Sequence, residues 1–107
     1  MKDFAGKTVL VTGGAGAIGS ATARLFLERG ANVVLADIDN TRLERVKTHL
    51  AAFGNVSVIG GDLTGEAFVR DAVEYCISTY NSLDAVFNNA GIAGAVAPVQ
   101  DLSSADW

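Results

Sequence analysis

The segment Thr8-Val9-Leu10-Val11 is a continuous apolar run stopped by glycines, the pattern of a strand buried on both faces of a parallel sheet. From Ala17 to Arg29, Ile18, Ala21, Leu25 and Phe26 recur at helical spacing, and Gly30 follows where a helix favours a left-handed residue just past its end. Asn32 to Ala36 repeats the buried-strand pattern. Thr41-x-x-Glu44 then forms a capping box ahead of Leu43, Val46, Leu50 and Phe53, which predicts a second amphipathic helix. A third strand is expected over Val56 to Ile59. Thr64 is placed to cap a third helix carrying Phe68, Ala72, Cys76 and Tyr80, and Leu83 to Phe87 reads as a fourth strand. A loop of small residues, Ala90 to Ala97, leads through Pro98 to Ser103, the N-cap of a helix that is only begun at Trp107.

Strands alternating with helices at this spacing imply right-handed crossovers, and hence an α/β fold with a parallel sheet. The simplest arrangement has strand order 3-2-1-4 with helices on both faces: a doubly wound, Rossmann-type sheet cut off after its fourth strand. A length of 107 residues has room for one core, so a single domain over 1–107 is expected. A formal charge of −4 with no run of Lys or Arg repels phosphate backbones, so nucleic acid is not an expected partner. The apolar runs are strand-sized, well short of the roughly 20 residues of a membrane span. The single cysteine cannot form an internal disulfide, and the stretch before the first strand holds no apolar signal core; a cytoplasmic location is expected.

The chemistry concentrates where strands end. Thr12-Gly13-Gly14-Ala15-Gly16-Ala17-Ile18-Gly19 joins the first strand to the first helix, at the carboxyl edge of the sheet, where the helix presents unpaired N–H groups to an anion. Glycines permit the sharp turn, a close approach of backbone to a pyrophosphate, and tight packing of helix on sheet. Gly13, Gly14, Gly16, Ile18 and Gly19 are the candidate residues of this cradle. Asp37 closes the second strand 18 residues after Gly19, near the offset at which an acid meets an adenosine ribose. Its carboxylate suits a vicinal diol and repels a 2′-phosphate. No Lys or Arg stands at Ile38 to Asn40 to relieve that repulsion, which favours NAD over NADP, with Arg42 nearby as the opposing consideration. Ile38, beside Asp37, joins the cofactor residues, while Asp39 reads as a charge at the approach to the second helix. Asp62, after the third strand, is either an acceptor for the adenine amino group, flanked by Leu63, or a loop residue. Asn88-Asn89-Ala90-Gly91 brings two amides and two small residues to the same edge.

Taken together these motifs resemble the classical short-chain dehydrogenase/reductase family, from Gly6 to Trp107. The resemblance implies an NAD-linked oxidoreductase that exchanges hydride with an alcohol or ketone. It assigns the pyrophosphate turn to Gly13, Ile18 and Gly19, the ribose to Asp37, adenine to Asp62 and Leu63, and the adenosine ribose also to Asn89 and Gly91, with Ala90 between them. One departure stands out. The family's T-G-x-x-x-G-x-G has glycine where this chain has Ala17, and the shifted frame through Gly16 matches the extended branch of sugar-nucleotide epimerases and dehydratases.

The family's Tyr-x-x-x-Lys pair is missing from this chain: Tyr75 is followed four residues on by Thr79 and Tyr80 by Asp84, and the lysines are Lys2, Lys7 and Lys47. Tyr75 and Tyr80 are read as helix-face packing, His49 as a solvated residue and Cys76 as core. An alcohol or ketone substrate is expected only if a C-terminal half completes the site. The alternatives are a stand-alone NAD-binding module without catalysis, and an interaction protein that has kept the fold without the ligand. An apolar fourth strand at an open sheet edge predicts either self-association through that strand, as a homo-oligomer, or a longer parent chain that covers it.

Overall fold

A computed structural model describes residues 3–62 and 65–88. Four strands, β1 (Thr8–Thr12), β2 (Asn32–Asp37), β3 (Val56–Gly60) and β4 (Ala85–Asn88), alternate with helices α1 (Ala17–Glu28), α2 (Asn40–Leu50) and α3 (Glu66–Tyr80). They form one parallel sheet in the order β3-β2-β1-β4. Val9 pairs with Val33 on one side and Ala85 on the other, so β1 is central and every residue of it is buried. The chain runs outward from β1 to β3 and then crosses to β4, which puts the reversal of strand order between β1 and β4, where α/β sheets bind ligands.

Alternation along the strands separates two apolar layers. Val9, Val11, Val33 and Leu35 face α1 and α2, with Ala23, Leu27, Leu43 and Leu50 closing that core. Leu10, Val34, Ala36 and Val86 face α3 through Ala72 and Cys76. Helices therefore cover both faces, as buried parallel strands require. Tyr75 and Tyr80 pack against this second layer, and the Tyr80 hydroxyl meets Ser57 Oγ at 2.6 Å.

Several expectations are corrected. Of the expected α1 stripe, Ile18, Ala21, Leu25 and Phe26, only Phe26 packs on the core: Ile18 and Leu25 are 66% and 60% exposed, and Gly19, Ala23 and Leu27 face inward. The helix lies so close to the glycine turn that its inner row begins with a residue lacking a side chain. The cap of α2 is Asp39, whose Oδ1 accepts the Arg42 N–H at 3.0 Å. Thr41, expected to start a capping box, lies inside the first turn. Phe53 falls in a separate 3-10 turn, Ala51–Phe53, where it packs on the first core and under the Arg24 guanidinium. The N-cap of α3 is Gly65; Thr64 lies outside the described residues. β4 starts at Ala85 rather than Leu83, and Asp84 ahead of it meets Thr8 twice, its N–H donating to Thr8 O at 2.9 Å and its Oδ2 accepting the Thr8 N–H at 2.8 Å. The expected loop over 90–97 and helix start at Ser103 lie outside the described residues. Among the described residues no helix is long and apolar enough to cross a membrane.

Candidate functional site

The carboxyl ends of β1, β2 and β4 converge on the turn between β1 and α1. Gly13 opens it with φ +68°, a conformation that disfavours side chains. Gly19 is fixed by contact: a Cβ there would lie 2.3 Å from the Gly13 carbonyl oxygen and 3.0 Å from Gly14 Cα. Gly14 meets β2 in the same way, its hypothetical Cβ falling 2.8 Å from Leu35 Cβ. Gly16 differs. Its φ of −80° suits any residue, and a Cβ would touch only Gly13 O at an ordinary 3.5 Å. Ala17, at the adjacent position, is exposed. The two positions at which this chain departs from the usual glycine pattern are thus the ones where the fold makes no demand.

The hydrogen bonds separate spent amides from available ones. Gly14 N–H donates to Ala36 O at 3.2 Å, Ala15 N–H to Asp37 Oδ2 at 3.0 Å, and Gly16 N–H to Gly13 O at 3.1 Å. The first amide of α1 to reach a carbonyl is Ser20, on Gly16 O at 2.9 Å. Gly16 is the N-cap and has no side chain with which to cap, and no acid stands in the first turn. The N–H groups of Ala17, Ile18 and Gly19 therefore point out of the helix start toward whatever lies beyond it, at the positive end of the helix dipole. This arrangement can hold an oxyanion. Ala17 was missed in the sequence because a main-chain donor leaves no side-chain signal; only its place as first helical residue marks it.

Asp37 closes β2 beside this turn. Its Oδ2 accepts from Ala15 and its Oδ1 from Asp39 N–H at 3.2 Å, while its own carbonyl takes the Gly61 N–H at 3.0 Å. It is a fixed acceptor, not a solvated loop carboxylate. Ile38, 70% exposed, follows it, and Ile18 is the other large apolar side chain bared at this edge. Across the sheet, Thr12 Oγ1 donates to Asn88 Oδ1 at 2.7 Å and ties the end of β1 to the end of β4. Asp62 is exposed beyond β3, its carbonyl taking the Gly65 N–H at 3.0 Å. Leu63, Asn89, Ala90 and Gly91 lie outside the described residues.

Other candidates for chemistry are quiet. Cys76 is fully buried, and desolvation pushes its thiol up to about 12, against a smaller lowering by a backbone hydrogen bond. It is core rather than nucleophile. His49 is exposed on α2, with its ring 6.5 Å from that of Phe53. Among the described residues no group of three or more His, Cys, Asp or Glu is disposed to hold a metal ion.

A parallel sheet in this order, with helices on both faces and an uncapped first helix at its switch point, is a Rossmann-like fold. The family model described as short chain dehydrogenase matches residues 7–107, and the chain belongs to that family. It is 42% identical, over its whole length, to the mitochondrial (-)-isopiperitenol/(-)-carveol dehydrogenase of Mentha piperita, and spans 41% of that protein. Among solved structures, NAD+-bound xylitol dehydrogenase superposes with a TM-score of 0.80 at 38% identity, covering 98% of this chain and 41% of that one. The Pseudomonas aeruginosa RhlG/NADP active-site complex does so with a TM-score of 0.76 at 36% identity, covering 84% and 36%. The chain thus spans about two fifths of the length of these relatives.

Proposed function

We propose that this chain is the NAD-binding half of a short-chain dehydrogenase/reductase that transfers hydride between the nicotinamide and an alcohol or ketone. The observation that carries the reading is the row of open amides at Ala17, Ile18 and Gly19 set beside the anchored carboxylate of Asp37. The residues fit a dinucleotide. The amides suit its pyrophosphate, with Gly13, Gly14 and Gly16 shaping the bend that exposes them, and Asp37 suits the adenosine diol. Asp62 and Leu63 are assigned to the adenine and Asn89 and Gly91 to the adenosine ribose, with Ile38 and Ala90 beside them as further cofactor residues. When bound, the nicotinamide supplies the hydride chemistry. The chain's own part is to bind and orient it, since no tyrosine–lysine pair lies within the sequence.

NAD is favoured over NADP on charge. A 2′-phosphate at Asp37 would meet a carboxylate, and Arg42, five residues on, forms no ion pair with it or with any other described residue. The same proposal includes a cytoplasmic protein, one dinucleotide-binding domain of which 1–107 is an incomplete part, and a homo-oligomer. Titrating NADH and NADPH against the protein by nicotinamide fluorescence tests the cofactor reading. NADH is expected to bind at least about tenfold more tightly, on the order of 1.4 kcal/mol. Equal affinities would remove the role of Asp37, and a reversed order would reverse the assignment.

A further inference from the structure

The carboxylate assigned to the sugar is already at work on the turn. Between Gly13 and Gly16, one hydrogen bond from a side chain reaches the turn among the described residues: that of Ala15 N–H to Asp37 Oδ2 at 3.0 Å. The neighbouring tie, Gly14 N–H to Ala36 O, is main chain to main chain and indifferent to side-chain identity. Asp37 itself is held on the sheet, paired with Gly60 and taking the Gly61 N–H on its carbonyl. Its second oxygen is oriented by Asp39 N–H at 3.2 Å. We propose that Asp37 is the positioning residue of the glycine-rich turn, so that grip on the diphosphate and grip on the ribose pass through one side chain.

The donor count supports this double duty. An ionised carboxylate offers about four lone-pair sites over two oxygens. Ala15 and Asp39 fill one on each oxygen, which leaves one on each for the two hydroxyls of a vicinal diol. The amides that fix the carboxylate therefore do not compete with the sugar; they aim it. A residue at 37 without an acceptor would lose the sugar contact and also release Ala15, loosening the bend that turns the amides of Ala17, Ile18 and Gly19 outward.

This inference rests on the cofactor reading, and the test separates the two. Asp37→Ala and Asp37→Asn both remove the charge and both give up the Asp39 N–H contact, but asparagine keeps its one acceptor oxygen for Ala15, so their ratio reads that hydrogen bond apart from charge. Binding of ADP and of 2′,3′-dideoxy-ADP is measured by calorimetry on the wild type and both variants, and exchange of the Ala15 amide is followed by NMR without ligand. With the dideoxy probe, which has no hydroxyl for residue 37, D37A is expected to bind about tenfold more weakly than D37N, the scale of one hydrogen bond to a well-placed acceptor. Ala15 exchange should be slow in the wild type and in D37N and about tenfold faster in D37A. Equal dideoxy-ADP affinity in the two variants would overturn the positioning role while leaving the sugar role intact. A wild type that binds neither nucleotide would sink the cofactor reading, and the Ala15 exchange would still decide the other. Should D37A not fold, rapid Ala15 exchange in the wild type alone is enough to refute the proposal.

Discussion

Replacing Gly19 with alanine puts a methyl carbon 2.3 Å from the Gly13 carbonyl oxygen, 3.0 Å from the carbon of that carbonyl, and 3.0 Å from Gly14 Cα. All three contacts are main chain, so no flexible side chain can move aside, and the turn or the helix must shift by several tenths of an ångström. Overpacking of this kind costs about 1–3 kcal/mol. Alanine in a helix gains up to about 1 kcal/mol over glycine, which leaves a net loss of up to about 2 kcal/mol. For a chain of this size that lowers Tm by up to roughly 16 °C. Gly16→Ala is the control. With the nearest atom at 3.5 Å and φ at −80°, it adds no strain, and the poorer N-cap is offset by a stiffer unfolded chain. Its stability should stay within about 0.5 kcal/mol of wild type. Urea unfolding of the two variants reads the difference directly. A Gly19→Ala protein as stable as Gly16→Ala would refute the claim that helix–turn contact, rather than a ligand, demands glycine at position 19.

Removing the α2 cap with Asp39→Ala should cost about 0.5–2 kcal/mol in the same unfolding assay, while Thr41→Ala should stay within about 0.5 kcal/mol; the opposite ranking would restore Thr41 as the cap. Cys76 should resist iodoacetamide at pH 8 in the folded protein and react once urea unfolds it, because burial holds the thiol protonated. Burial pushes this thiol up to about 12 from its ordinary 9.0, so the unfolded chain releases the proton first as pH rises. The Cys76 contribution is complete below about pH 9 and is lost between there and about pH 12, and a Cys76→Ala variant should lack that part of the alkaline decline.

What the sequence made legible follows from where side chains carry the signal. The strands and their order could be read because a doubly covered parallel strand must be apolar at consecutive positions, as Val33 to Ala36 are. The phase of α1 could not. Ile18–Ala21–Leu25 and Gly19–Ala23–Leu27 are both helical rows, and close packing on the turn selected the smaller one. The cap of α2 was hidden by a motif that fitted two residues too late. At the site, Asp37 was visible from its offset, whereas its bond to Ala15 depends on a turn conformation no spacing rule encodes. Spacing assigns the available amides to the glycine turn as a group; those of Gly14 and Gly16 are spent inside the fold, and the open row begins at Ala17.

The account stands on those open amides. Backbone amide spectra of ¹⁵N-labelled protein, recorded as NADH is added, should show Ala17, Ile18 and Gly19 moving together and saturating with one affinity, while amides of α2 far from the turn, such as Lys47, stay still. Saturable binding that leaves the three unmoved, or that moves another helix start instead, would contradict it.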